Sequence, residues 1–106
     1  MIIALDAMGG DKAPDINVEG AVLAVKHTSH EVLLVGKQEG IYPLLDKYAK
    51  IHNISPSKIK VINATEVIEM HESPANAVRQ KKDSSMAVCA KLVVDKQADA
   101  FVSMGN

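Results

Sequence analysis

Short apolar runs alternate along this chain with stretches in which apolar residues recur at helical spacing. Ile2 to Leu5 is a run stopped by Asp6 and then by Gly9-Gly10, which reads as a buried strand entering a glycine turn. Pro14 suits the first turn of a helix, and Asp15 is favourable beside the positive helix end. Val18, Ala21, Val22 and Val25 then fall on one helical face. Val32 to Val35 is a second strand-like run, ended by Gly36. Ile41, Leu44, Leu45 and Tyr48 repeat the helical spacing until Asn53 and Ser55-Pro56 break it. Ile59 to Asn63 predicts a third strand, with Lys58 and Lys60 marking an exposed start.

Ser73-Pro74 signals a new helix, with Ser at the N-cap and Pro in the first helical position. That helix runs through Ala77, Val78 and Arg79, and Ser84-Ser85 interrupts it or caps another. Met86 to Val94 is apolar almost all round, with Lys91 and Asp95 as a narrow polar stripe, so it is expected to be covered on most sides. Ala100 to Met104 is the last strand expected, and Gly105-Asn106 starts a turn. The predicted order is β-α-β-α-β-α-α-β. That order implies an α/β fold whose mainly parallel sheet is covered on both faces. No internal repeat, low-complexity segment or linker interrupts it. An α/β fold normally sends such a last strand into another helix, so the natural protein is expected to continue beyond Asn106.

Composition narrows the class. At 106 residues the chain is one domain or a piece of one. Its 47% hydrophobic and 24% charged residues are ordinary for a globular protein. The net charge of −1 and the absence of a basic run argue against nucleic acid, and with no Trp there is little to stack on bases. Cys89 stands alone, which excludes an intramolecular disulfide and a cysteine zinc cluster. The N-terminus lacks a basic signal region, and no stretch approaches the ~20 apolar residues of a membrane span. The expectation is a reducing, cytoplasmic location.

Candidate chemistry gathers in turns that leave strand ends, where ligands collect in open α/β sheets. In Asp6-Ala7-Met8-Gly9-Gly10-Asp11-Lys12, the glycines Gly9 and Gly10 let backbone N–H groups approach an anion, and Lys12 adds a cation. The spacing is neither the dinucleotide nor the Walker pattern. Carboxylates repel phosphate, so Asp6 and Asp11 are assigned to organising the loop. The plain alternative is a tight turn. In Glu72 to Met86, Ser73 opens a helix, Arg79, Lys81 and Lys82 supply cations, and Ser84 and Ser85 offer a second capped start. Its plain alternative is a solvated helix face. In Ser103-Met104-Gly105-Asn106, Asn106 offers an amide donor to an oxyanion; the plain alternative is an ordinary turn. Cys89 reads as a buried small hydrophobe, and His27, His30 and His52 as surface residues. Among the histidines only His71 is retained as an acid/base candidate. No metal site and no cofactor are expected.

Those three segments resemble, in order, the signatures of the PlsX-type phosphate acyltransferases, which are acyl-acyl carrier protein:phosphate transacylases. Asp6-Ala7-Met8-Gly9-Gly10-Asp11 is similar to the first. Pro74, Arg79, Lys81, Lys82, Ser84, Ser85 and Met86 stand in place for the second. Phe101-Val102-Ser103-Met104-Gly105-Asn106 is similar to the third, with Met104 where the family often has Ala. The resemblance spans this whole chain but only the opening part of a family member. It implies a three-layer α/β/α fold akin to isocitrate and isopropylmalate dehydrogenases, of which residues 1–106 form the N-terminal part of a single domain. It also implies a homodimer, a role in starting bacterial phospholipid synthesis, an acyl phosphate product and loose membrane association.

Acyl transfer from acyl carrier protein to phosphate then suggests roles. Lys81 and Asn106 are the catalytic candidates. Gly9, Gly10, Lys12, Ser73, Arg79, Lys82, Ser84 and Ser85 are the substrate-binding ones. The 106 residues alone are expected to be inactive. Two competing readings are a phosphotransacetylase-like enzyme using coenzyme A, and a non-catalytic fragment that binds phosphate or a carrier protein.

Overall fold

The computed structural model describes residues 1–68 and 73–104. Strand β1 (Ile2–Asp6) leads to helix α1 (Asp15–His27), then β2 (Glu31–Gly36), α2 (Gln38–Ile51) and, after a 3-10 turn at Pro56–Lys58, β3 (Ile59–Asn63). Helices α3 (Pro74–Gln80) and α4 (Ser85–Val94) precede β4 (Ala100–Val102). The four strands form one sheet in the order β3-β2-β1-β4, and every pairing is parallel. With helices on both faces, this is a three-layer α/β/α arrangement.

Alternation along the strands builds the two cores. Successive side chains of a strand point to opposite faces. Val32 and Leu34 pack with Val18, Val22, Ile41 and Leu45 of α1 and α2. Leu33 and Val35 pack on the other face, with Ala4, Cys89 and Leu92 of β1 and α4. The helical face predicted for α1 is buried at Val18, Ala21, Val22 and Val25. Asn17 is buried with it. In α2, Ile41, Leu45 and Tyr48 are buried, while Leu44 is only half-buried.

Two polar contacts join α1 to α2. The Tyr48 hydroxyl donates to the Asp15 carboxylate. That bond, partial desolvation and the charges of Asp15 and Glu19 push the phenol up to about 12. His52 Nε2 lies 2.8 Å from Glu19 Oε2.

The structure departs from the sequence expectations in three places. Pro14 occupies the N-cap position of α1 rather than its first turn, and its carbonyl accepts from the Val18 N–H at 2.9 Å. β4 ends at Val102, two residues early: Val102 pairs with Leu5, and β1 itself ends one residue later, at Asp6. The third is Val94: α4 is buried or half-buried at every residue but Lys91 and Val94, with α3 beside it, yet Val94 is 77% exposed in a run expected to be covered on most sides. A further apolar surface flanks the edge strand. Ile3, Leu5, Ala21, Ala24, Val102 and Met104 line a groove of about 330 Å³ between α1 and β4.

Helices α2 and α4 stop in the same way. After α2, the Ile54 N–H reaches the Ala49 carbonyl and the Asn53 N–H reaches that of Lys50, with Asn53 left-handed at φ 58°. After α4, Gln97 and Lys96 bond to Leu92 and Val93, with Lys96 at φ 61°. Both are Schellman closures, whose turning residue is usually Gly and sometimes Asn. Lys has a Cβ that the left-handed region penalises. Lys96→Gly is therefore expected to stabilise the chain by about 0.5–1 kcal/mol, the relief of strain outweighing the added freedom of the unfolded chain. Chemical denaturation of the two proteins measures it; an unchanged or lowered midpoint counts against the strain.

Candidate functional site

A parallel sheet brings all its strand ends to one edge. Here β1 is followed in the chain by its neighbour β2 on one side, while β4 lies on its other side. The gap between the ends of β1 and β4 is thus a topological switch point, where open α/β sheets place ligands. The glycine turn after β1 and the Ser103-Met104 segment after β4 meet there.

The turn is held from below by Asp6, which is 2% exposed. Its Oδ1 accepts the Met8 N–H at 2.9 Å, and its Oδ2 accepts the Ser103 hydroxyl at 2.8 Å. Asn17 holds the turn from the side. Its Nδ2 donates to the carbonyls of Gly9 at 2.8 Å and Ala7 at 3.0 Å, with that of Asp6 at 3.3 Å. Two amide hydrogens thus serve three acceptors. Gly10 has φ +94°, a conformation that side chains strain to adopt, and a Cβ there would sit 3.0 Å from Met104 Cβ. Gly9 is buried and has no such φ.

In a planar trans peptide the N–H points opposite the preceding carbonyl. Asn17 therefore turns three N–H groups away from itself. That of Ala7 donates to Val35 at 2.8 Å, and that of Met8 to Asp6. The third belongs to Gly10 and has no hydrogen-bond partner among the described residues. Asp11 and Lys12 are exposed, and with Gly10, Ile16, Asn17 and Met104 they line a hollow of about 260 Å³.

The second segment is tied to the end of β3. The Thr65 N–H donates to Asp83 Oδ2 at 2.9 Å, and the Thr65 hydroxyl donates to the same oxygen. Backbone bonds Glu66 N–H to Asp83 O (3.1 Å) and Ser85 N–H to Glu66 O (3.3 Å) complete the clasp. The Thr65 hydroxyl first, and its N–H second, hold the Asp83 carboxyl below the usual carboxylate range. Lys81 is half-buried, and its ammonium donates to the Val67 carbonyl at 3.0 Å. Arg79 and Lys82 are exposed.

Ser73 stands at the N-cap of α3, but its side chain makes no cap bond. Ser84 is the functioning cap: its Oγ accepts from the Ala87 N–H at 3.1 Å at the start of α4. Ser85 is buried and shares a small cavity with Asp6, Met8, Gly9, Val67, Ile68 and Met86.

The structure therefore brings Asp6, Gly9 and Ser85 around one cavity, and Gly10, Asp11 and Lys12 around another. Ser73, Arg79, Lys81, Lys82 and Ser84 line neither. Asn106 and His71 lie outside the described residues. Cys89 is fully buried, and burial, with the charge of Asp6 adding, pushes its thiol up to about 12, so it is no nucleophile at neutral pH. Among the described residues no group of three or more His, Cys, Asp or Glu could hold a metal, and no helix is long and apolar enough to cross a membrane.

Sequence reasoning missed Asn17 and the Thr65–Asp83 clasp. Asn17 left a signal, because it falls at helical spacing with Ala21 and Ala24 and so sits on the inward side of α1. Thr65 and Asp83 are far apart in the chain and carry no local pattern.

The fold and site together define an α/β chain with a backbone-donor turn at a switch point. Comparison with known proteins places it more closely. A model of the family described as "Fatty acid synthesis protein" matches residues 1–106, and the chain belongs to that family. It is 58% identical over its whole length to a protein of Endomicrobium trichonymphae named "Phosphate acyltransferase", of which it covers 31%. Proteins of the same name from Dictyoglomus turgidum and Clostridioides difficile are 50% and 42% identical over the whole chain, which covers 30% of each. The chain thus spans about three-tenths of the length of these curated relatives.

Two predictions follow from the clamps around the turn and the clasp. Asn17→Ala leaves buried carbonyls without their donor and is expected to cost about 1–3 kcal/mol of stability; a denaturation midpoint equal to wild type refutes the clamp. Asp83 has a folded pKa below its unfolded value of about 3.9, so its contribution is present above that value and is lost as pH falls through the folded pKa. Asp83→Ala should therefore melt below wild type at pH 7, with the gap closing in strong acid. A gap independent of pH contradicts the assignment.

Proposed function

We propose that this chain carries part of the active site of a phosphate acyltransferase that moves an acyl group from acyl carrier protein to inorganic phosphate. The observation that carries this reading is the Gly10 N–H, turned outward at the switch point by the Asn17 and Asp6 bonds and without a protein partner among the described residues. A preset backbone donor suits an anionic oxygen. The family membership and the names of the relatives point the same way.

In the proposed reaction a phosphate oxygen bonds to the thioester carbonyl carbon, and the carbonyl electron pair moves to its oxygen. When that pair returns, the carbon–sulfur bond breaks. The phosphopantetheine sulfur leaves as thiolate and takes up a proton, and the product is an acyl phosphate. No covalent enzyme intermediate is invoked. Gly9 and Gly10 supply backbone donors to phosphate, and exposed Lys12, Arg79 and Lys82 neutralise its charge or steer the acidic carrier protein. Lys81 anchors α3 through the Val67 carbonyl and is retained as the catalytic cation beside it. Asn106 is assigned to the oxyanion. Ser84 and Ser85 shape the start of α4 beneath the turn, and Ser73 contributes the start of α3.

The complete protein is proposed to be a cytoplasmic homodimer, peripheral at the membrane, and to act in bacterial phospholipid synthesis. The 106 residues alone, at about three-tenths of the relatives' length, are proposed to form the N-terminal part of its domain and to be inactive.

The test is thiol release by the full-length protein, with acyl-acyl carrier protein or acyl-coenzyme A as donor and phosphate varied. Phosphate-dependent turnover with preference for the carrier protein is expected. Arg79→Ala should lower kcat/KM for phosphate roughly tenfold to a hundredfold, the equivalent of about 1.5–3 kcal/mol, with little change in melting temperature. No phosphate dependence, or near-normal turnover of Arg79→Ala at low phosphate, overturns the reading or the role of Arg79 respectively.

A further inference from the structure

Two motifs from opposite ends of the chain meet at the switch point. β4 is three residues long and pairs with β1 only through Ala100, Phe101 and Val102. Beyond Val102 the ladder stops. The next tie is the Ser103 hydroxyl, which donates to Asp6 Oδ2 at 2.8 Å across a separation of 97 residues. Immediately after it, Met104 packs against Gly10 so closely that a Cβ on Gly10 would stand 3.0 Å from Met104 Cβ.

Asp6 is well suited to receive this bond. It is 2% exposed, and its other oxygen is already taken by the Met8 N–H of its own turn. A buried carboxylate needs donors, so it holds a hydroxyl within reach firmly. The glycine turn does not depend on Ser103 for its own shape, because Asn17 grips its carbonyls and the Met8 N–H closes it. The Ser103–Asp6 bond does a different job: it sets where the end of β4 stands relative to a turn that is already formed.

We infer that Ser103 is a positioning residue, whose hydroxyl on Asp6 registers the segment following β4 against the phosphate-binding turn. This rests on the acyl-transfer reading above. Phosphate is held by the turn and the cations, so its binding survives loss of the hydroxyl. The alignment of phosphate with the acyl carbonyl does not survive, because a displacement of about 1 Å costs on the order of a hundredfold in rate.

The experiment uses the full-length protein, with acyl-acyl carrier protein as donor and phosphate varied. Ser103→Ala is expected to lower kcat at least about tenfold while the KM for phosphate stays within about threefold. Ser103→Cys, nearly the same size but a weak donor, should behave like Ala and guards against a variant that fails to fold. Ser103→Thr keeps the hydroxyl and should restore kcat to within about threefold of wild type. The inference is overturned if Ala and Cys keep wild-type kcat. It is equally overturned if kcat falls only in step with the melting temperature and Thr does not restore it. Wild-type protein without phosphate-dependent turnover sinks the acyl-transfer reading, and this inference with it; wild-type turnover with indifferent Ser103 variants sinks this inference alone.

Discussion

Burying a carboxylate in a protein interior is costly unless donors meet it, and the site is organised around how Asp6 meets that demand. The residue lies at the end of a central strand, with β2 on one side and β4 on the other. It is 2% exposed, so the chain itself supplies its donors. One is the Met8 N–H, which obliges the backbone to curl immediately after β1. The other is the Ser103 hydroxyl, which obliges the end of β4 to stay close. The curl in turn forces Gly10 into a conformation that side chains avoid. Asn17 then satisfies the carbonyls that the curl would otherwise strand inside.

Much of this fold was legible because its elements obey simple periods. Val32 to Val35 is apolar on both faces because both faces of a central parallel strand are covered. The stripe from Val18 to Val25 is the side of α1 that meets the sheet. Asn53 ends α2 because it tolerates the left-handed turn, a preference readable in one residue. The errors came where periodicity has no say. The run from Met86 to Val94 is apolar, but apolarity alone does not cover every position, and Val94 stands 77% exposed. Ser73 has the right residue type for a cap, yet its side chain makes no cap bond.

The site was legible in outline and not in its wiring. The glycine turn and the end of β4 were chosen because both lie at strand ends, and they do meet. Parallel topology guarantees that strand ends share an edge, although only the strand order tells which are neighbours. The polar residues that hold the turn were harder to find. Asn17 sits on an apolar helical face, where a search for hydrophobic spacing passes over it. Thr65 and Asp83 come together only through the bridge between Glu66 and Ser84. Lys81 was expected to be a catalytic cation beside Arg79 and Lys82, but it is half-buried and its ammonium donates to the Val67 carbonyl, while those neighbours are exposed.

That division among the cations bears on how a site with a buried negative charge could accept phosphate. A carboxylate at Asp6 repels an anion above it, and its hydrogen-bond donors among the described residues are neutral. Offsetting that repulsion requires cations with charge to spare. Lys91 is spent in a pair with Asp95, whereas the Lys81 ammonium, bonded to a neutral carbonyl, keeps its charge. Lys12, Arg79 and Lys82 are exposed and form no ion pair among the described residues. In water such charges attract weakly, but attraction grows as solvent leaves the gap between them and a bound phosphate. Lys12 lines the hollow beside the Gly10 donor, whereas Arg79 and Lys82 line neither that hollow nor the cavity under Asp6. Ser103 is anchored to the same carboxylate that shapes the turn, so the end of β4 is held beside that donor.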